Sequence, residues 1–215
     1  MAVYLLNEEI VFPDPRLADS DGLLAVGGDL SAERLLLAYS NGIFPWYNPG
    51  EEIMWWAPDP RFVLFTEDFK TTKSYRSLIR NHNFAISFNQ AFPKVIKACK
   101  TRKRQGQPGT WITEAMRKAY ITLHNKGFAV SVEVWDNDLL VAGLYGVITR
   151  HVFCGESMFH TVNNAGKVAV YHLVELCKIG KIKLIDVQMH SVFFEQIGAA
   201  YIPLSEYLHI LQDEL

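Results

Sequence analysis

The sequence predicts an α+β fold in which helices cover a mixed, mainly antiparallel sheet. Three observations point there. Of the 215 residues, 49% are hydrophobic and 20% charged, enough apolar material for a sizeable core. Beyond residue 62 the periodicity alternates between helix and strand spacing, in the order helices, a run of strands, a helix, a strand and a helix. The stretch up to Arg61 is instead rich in Gly, Pro and aromatic residues, which sets a domain division at 1–61 and 62–215.

In the first region SAERLLLAYSNG reads as a helix. Ser31 is its N-cap, Glu33 favours the positive end of the helix dipole, and Asn41-Gly42 is the stop. The following IFPWYNPGEEIMWWAPDPRF holds Trp46, Trp55 and Trp56 among four prolines and reads as a shaped loop displaying aromatic rings. Lys70, Lys73, Arg76 and Arg80 recur at helical spacing, which places four positive charges on one helical face. Phe84 to Phe88 is a short strand and Ala91 to Lys100 a helix. Thr113 caps a third helix here, with Met116, Ala119, Tyr120 and Leu123 as its apolar stripe and Gly127 at its end.

The segment FAVSVEVW then alternates, with Phe128, Val130, Val132 and Val134 on one face and Ala129, Ser131, Glu133 and Trp135 on the other. Asp136-Asn137-Asp138 turns the chain into the hairpin partner LLVAGLYGVI, and VFCGESMF follows as the next strand. A helix over about 163–179 ends at Gly180, IKLIDVQM is a further strand, and Ser205 caps a last helix.

Lys plus Arg number 21 and Asp plus Glu 23, a formal net charge of −2. That balance excludes a wholly basic nucleic-acid binder but leaves room for a local basic patch. The longest apolar run, Leu139 to Ile148, is ten residues, half of the about 20 that a helical membrane span needs. The N-terminus carries Glu8 and Glu9 and no basic n-region, so no secretory signal is expected. Cys99, Cys154 and Cys177 are odd in number and widely spaced, which fits free thiols in a reducing cytoplasm. No C-x-x-C, H-E-x-x-H or EF-hand spacing occurs, so no structural or catalytic metal is expected.

Three constellations could carry chemistry. In IKLIDVQM, two-residue alternation puts Ile182, Leu184, Asp186 and Gln188 on one face, so an apolar strand ends in an acid and an amide. Such an end opens into a polar cleft or simply runs out to solvent. In GESMF, Gly155-Glu156-Ser157 begins like a nucleophile elbow, but Phe159 replaces the second glycine that the sharp turn needs. Glu156, set among Phe153, Met158 and Phe159, is a surface acid or a group aimed at a cation or an amine. Cys154 beside it reads as a small buried hydrophobe. Lastly, Lys94, Lys97, Lys100, Arg102, Lys103 and Arg104 form a basic tract without an acid. Phosphate is its natural counterpart, and Trp46 and Trp111 could stack on bases. The alternatives are a solvated loop and ordinary core packing.

In order along the chain, GLLAVGGDL (22–30), AYSNGIFPW (38–46), WWAPDPR (55–61), GTWIT (109–113), AGLYG (142–146), GESMF (155–159) and IDVQ (185–188) resemble the signature blocks of the leucyl/phenylalanyl-tRNA–protein transferase family. The resemblance implies a small N-terminal α/β domain on a C-terminal domain of the GCN5-related N-acetyltransferase type. It also implies transfer of Leu or Phe, less efficiently Met, from aminoacyl-tRNA to proteins beginning with Arg or Lys. The product is an N-degron, made in the bacterial cytoplasm by a monomer without a cofactor.

Carried to these positions, Trp46 and Trp111 hold the terminal adenosine, with Tyr39 and Tyr120 nearby. Leu144, Phe153, Met158, Val170, Leu173 and Cys177 line the donor pocket. Glu156 lies by the donor amine or the adenosine, and Asp186 and Gln188 handle the acceptor amine, either through the family's Asp-polarised amide relay or by orientation from Gln188 with charge compensation from Asp186. The two basic stretches serve tRNA phosphates.

The chemistry asks for little basicity. The donor ester is already activated, and an α-amine with a pKa of about 7.7–8.0 is on the order of a tenth neutral at pH 7. Alignment of amine and carbonyl is the larger need. Departures from the family pattern occur at Ala142, at Gly166, at Leu173 and Cys177, and in FFEQIGA (193–199), including Phe193 and Gln196. They bear on donor preference. Two other classes compete, an RNA-binding module without catalysis and a coenzyme-A acetyltransferase. HTVNNAGKVAV, with its single glycine, is a poor pyrophosphate loop for the latter.

Overall fold

The computed structural model describes residues 3–102 and 110–212, so Lys103 and Arg104 of the basic tract lie outside the described residues. The first region builds a four-stranded sheet from β1 (Tyr4–Leu6), β2 (Leu23–Gly27), β3 (Phe44–Pro45) and β4 (Met54–Trp56), in the order β1-β2-β4-β3. Helix α1 (Ala32–Ser40) starts where the Ser31 hydroxyl accepts the Arg34 N–H at 3.3 Å, and it stops at Gly42, which has φ of +74°. The proline-rich segment is therefore partly strand, which corrects the loop expectation. Its prolines limit β3 and β4 to two or three residues but leave N–H groups enough to pair. Of its tryptophans Trp55 is fully buried and donates its indole N–H to the Gly27 carbonyl, while Trp46 stays exposed with Trp56 edge-on beside it.

The larger sheet has seven strands: β5 (Arg61–Phe65), β6 (Ala85–Phe88), β7 (Ala129–Asp136), β8 (Leu139–Thr149), β9 (Val152–His160), β10 (Leu184–Gln188) and β11 (Ala200–Ile202). Their order is β11-β5-β10-β9-β8-β7-β6, and every pair is antiparallel except β9 with β10. The expected mixed, mainly antiparallel sheet is thus present. Its helices are α2 (Lys73–Asn81), α3 (Phe92–Thr101), α4 (Glu114–Asn125), α5 (Ala165–Ile179), α6 (Val192–Gln196) and α7 (Leu204–Gln212). One apolar cluster joins α1, α3, α4, α7 and the small sheet to one face of the large sheet, and a second joins α2 and α5 to the other.

Because both faces are covered, the polar face of β7 is as buried as the apolar one. Glu133 is solvent-free there and accepts hydroxyl bonds from Ser87 (2.6 Å) and Ser131 (2.5 Å), which satisfy it. Two boundaries differ from expectation. Lys70 lies ahead of the Thr72 cap of α2, so the helical stripe is Lys73, Arg76 and Arg80. The last helix begins at Leu204, where the chain leaves Pro203, and the Asp59 carboxylate takes its first N–H at 3.0 Å in place of a Ser205 cap. No helix among the described residues is long and apolar enough to cross a membrane.

Candidate active site

The parallel pair of the large sheet positions the site. Strands β9 and β10 are in register at Leu184 with Val152, Ile185 with Phe153 and Asp186 with Cys154, and the pairing ends there. Both strands then depart from regular geometry. Opposite β8, Tyr145 pairs with Ser157 and Gly146 with Gly155, which leaves Glu156 as the extra residue of a bulge. Opposite β5, Asp186 pairs with Val63 and Gln188 with Phe62, which leaves Val187 as the extra residue, and Gln188 takes a left-handed φ of +70°. Bulges re-aim side chains, and a left-handed glutamine costs strain that a regular strand end would avoid. Gly146 makes the first bulge feasible, since a Cβ there would stand 2.2 Å from the Cys154 carbonyl oxygen.

Between the parted strands lies a cavity of about 250 Å³. Leu144, Phe153, Met158 and Leu173 give it an apolar wall, and Glu156 and Asp186 give it a polar edge. It is smaller than the roughly 300–1,000 Å³ of pockets that enclose a drug-sized ligand, so it suits one side chain. Val170 and Cys177 are buried in the apolar cluster and do not line the cavity, because Leu173 is the residue of α5 that reaches it. Sequence reasoning missed Ile185, Val187, Met189, Ser191 and Phe194 of the lining. Their strand break and the five-residue α6 leave no periodic signal.

Asp186 is fully buried with every hydrogen-bonding direction occupied. The Arg61 guanidinium grips it twice, Nε to Oδ1 at 2.9 Å and Nη2 to Oδ2 at 2.8 Å. The Tyr207 hydroxyl donates to Oδ2 at 2.9 Å, and the Gln188 backbone N–H donates to Oδ1 at 2.9 Å. Arg61 is itself sandwiched between the Phe44 and Tyr207 rings, 4.7 and 4.8 Å from their centroids. Burial works against its charge, but the Asp186 carboxylate overrides it and holds the guanidinium above its ordinary range. Arg61 and Tyr207 were not foreseen. The available signal was an arginine opening the apolar strand RFVLF. The expected contact from Asp186 to the Gln188 side chain is not made. It runs through the backbone, because the left-handed turn swings the amide toward Glu156.

Glu156 has a different shell. The Tyr39 hydroxyl lies 2.7 Å from its Oε1 and the Tyr120 hydroxyl 2.8 Å from its Oε2, both at hydrogen-bond distance, and the two phenol oxygens are 2.5 Å apart. Gln188 Nε2 donates to Oε1 at 3.3 Å. Burial pushes the Glu156 carboxyl up to about 7; the donors around it pull the other way, and the Asp186 charge adds to the rise. Burial first, then the Glu156 charge, holds Tyr39 and Tyr120 well above the ordinary phenol range. Both tyrosines are buried, at 1% and 0% exposure, so they meet Glu156 and not the solvent face. Cys154 is buried too, with its thiol pushed up by burial.

None of the basic residues lines the cavity. Lys73, Arg76 and Arg80 are exposed on α2, and Lys94 and Lys97 on α3. Lys100 is tied to Glu114 at 2.9 Å, and Arg102 donates to the His160 carbonyl at 2.5 Å. Trp46 is exposed, and Trp111 is half-buried against the apolar cluster.

The family model described as leucyl/phenylalanyl-tRNA protein transferase matches residues 63–212, and that of its N-terminal domain matches 28–59. A protein named leucyl/phenylalanyl-tRNA–protein transferase from Flavobacterium johnsoniae is 47% identical, covering 99% of this chain and 100% of that one. One of the same name from Syntrophus aciditrophicus is 48% identical over 100% of this chain and 90% of its own. Among solved structures, a GCN5-related N-acetyltransferase from Kribbella flavida overlays at a TM-score of 0.41 and 10% identity, covering 77% of this chain and 58% of that one. The chain belongs to the leucyl/phenylalanyl-tRNA–protein transferase family, and it is an aminoacyltransferase.

Proposed function

We propose that this protein transfers Leu or Phe, and less efficiently Met, from aminoacyl-tRNA to the α-amine of proteins that begin with Arg or Lys. The new peptide bond creates an N-degron in the cytoplasm. The observation that carries this reading is the cavity of about 250 Å³, apolar on one wall and edged by Glu156 and Asp186, sized for one hydrophobic side chain. Trp46 and Trp111 serve the terminal adenosine, and the exposed cations of α2 and α3 serve the phosphates. A division at residues 61 and 62 belongs to the same proposal. It is supported by the break between the two family matches, while one apolar cluster ties Leu24 and Trp55 to Tyr207 and Leu211.

Asp186 has no lone pair left to receive a proton from an attacking amine. Its part is to hold Gln188 in its strained conformation, so that the amide orients the amine against the ester carbonyl. The test is transfer of radiolabelled Leu or Phe from charged tRNA to a protein beginning with Arg, for the wild type and Asp186→Ala side by side. Transfer by the wild type with a large loss in the variant supports function and site together. Transfer by both removes Asp186 from the mechanism. Retained tRNA binding without transfer by the wild type favours a binding module.

A further inference from the structure

Tyr39, Tyr120 and Glu156 form a closed triangle. All three of its edges are hydrogen-bond distances: 2.7 Å from Tyr39 to Oε1, 2.8 Å from Tyr120 to Oε2, and 2.5 Å between the phenol oxygens. Three edges need three protons, and two phenols supply two. With Glu156 ionised, both tyrosines would donate to it, and their own oxygens would face each other lone pair to lone pair. We propose that Glu156 brings the third proton to this ring, standing as a neutral acid at the cavity edge, and that it gives this proton to the leaving ribose oxygen during transfer.

The ring then closes in one direction. Oε2–H donates to the Tyr120 oxygen, the Tyr120 hydroxyl donates to the Tyr39 oxygen, and the Tyr39 hydroxyl donates to Oε1. Oε1 is then the carbonyl oxygen and also takes the Gln188 amide N–H at 3.3 Å. Glu156 is the member of the ring that lines the cavity, so the proton leaves through it. Its surroundings favour the neutral form. Facing it are Tyr39 from α1, Tyr120 from α4 with Tyr145 of β8 behind, Cys154 on its own strand, and Asp186 and Gln188 from β10. Arg61 and Tyr207 are engaged by Asp186. No cation bonds Glu156 among the described residues. Its upward shift agrees with the proton count.

This role rests on the transfer reading, and its chemistry balances. The amine nitrogen bonds the carbonyl carbon, the carbon–oxygen bond to the ribose breaks, and the Glu156 proton goes to the leaving oxygen. The proton shed by the nitrogen refills the carboxylate, so the ring ends as it began. A general acid that titrates near the working pH is well matched to that task.

Two measurements test it. Infrared difference spectra of the whole protein against Glu156→Gln, taken from acid to alkaline pH, are expected to show a protonated-carboxyl carbonyl band at neutral pH that disappears on alkalinisation. Absence of that band at neutral pH overturns the neutral acid. In single-turnover transfer, Glu156→Gln is expected to bind charged tRNA within about twofold of wild type and to react about 100-fold more slowly. A wild-type rate in that variant overturns the acid role, and so does a loss that lies wholly in tRNA binding. Wild-type protein that transfers nothing overturns the transfer reading and the acid role with it, while the infrared band still decides the protonation.

Discussion

Two carboxylates edge one cavity, and their surroundings are opposite. Asp186 is met by a guanidinium, a phenol and a backbone N–H, all donors, one of them a full positive charge. Glu156 is met by two phenols and an amide, all neutral. A buried charge with a bidentate partner is held in place, whereas a half-buried acid met by neutral partners is shifted toward its protonated form. The same sheet therefore builds a fixed anion and a proton carrier on adjacent strands. The β10 bulge lets Gln188 touch both, Asp186 through its backbone and Glu156 through its amide.

The contrast breaks most strongly at Arg61. Arg61→Met leaves Asp186 buried without its counter-charge and is expected to cost about 3–5 kcal/mol in urea unfolding, much of it recovered in Arg61→Met/Asp186→Leu. Recovery would show that the pair serves the site more than the fold.

The Glu156 side is read by pH. Its folded-state value is raised to about 7 from an ordinary 4.5, so the native state binds more protons than the unfolded chain between those values. Stability is then expected to fall as pH rises through that window and to level off above it. In Glu156→Gln, thermal melts over the same window should lose this decline.

Gln188 joins the two halves, and its strain can be isolated. Gln188→Gly fits φ of +70° and is expected to leave stability level or raise it by up to about 1 kcal/mol. Transfer should drop nevertheless, because the amide is gone. A smaller effect separates buried from exposed charge. Lys97→Ala is expected to lower the salt slope of tRNA binding by about one unit, and Lys100→Ala, already tied to Glu114, by less. Fluorescence titrations at several salt concentrations measure both.

The sequence makes some of this legible and hides the rest for physical reasons. The strand from Ala129 follows from alternation and its hairpin partner from the Asp136-Asn137-Asp138 turn, and α1 and α4 follow from their Ser31 and Thr113 caps. Asp186, Gln188 and Glu156 stand out as polar residues in apolar strands. Periodicity cannot reveal the bulges at Glu156 and Val187, since an extra residue breaks the two-residue rule on which such reasoning depends. Nor can it reveal that Arg61 meets Asp186 across 125 residues of chain, or that Tyr39 and Tyr120, both on apolar helix faces, meet at one carboxyl.

The most direct test of the division between the two carboxylates is the pH–rate profile of single-turnover transfer from Leu-tRNA to an Arg-initiated peptide, in wild type and in Glu156→Gln. The acceptor amine gains reactivity as it loses its proton near about 7.7–8.0, and Glu156 loses its proton at about 7. The wild type is therefore expected to give a bell, and Glu156→Gln a slow rate that only rises with pH. A wild-type profile that rises without a falling limb, or a falling limb that survives in the variant, would contradict Glu156 as the proton donor.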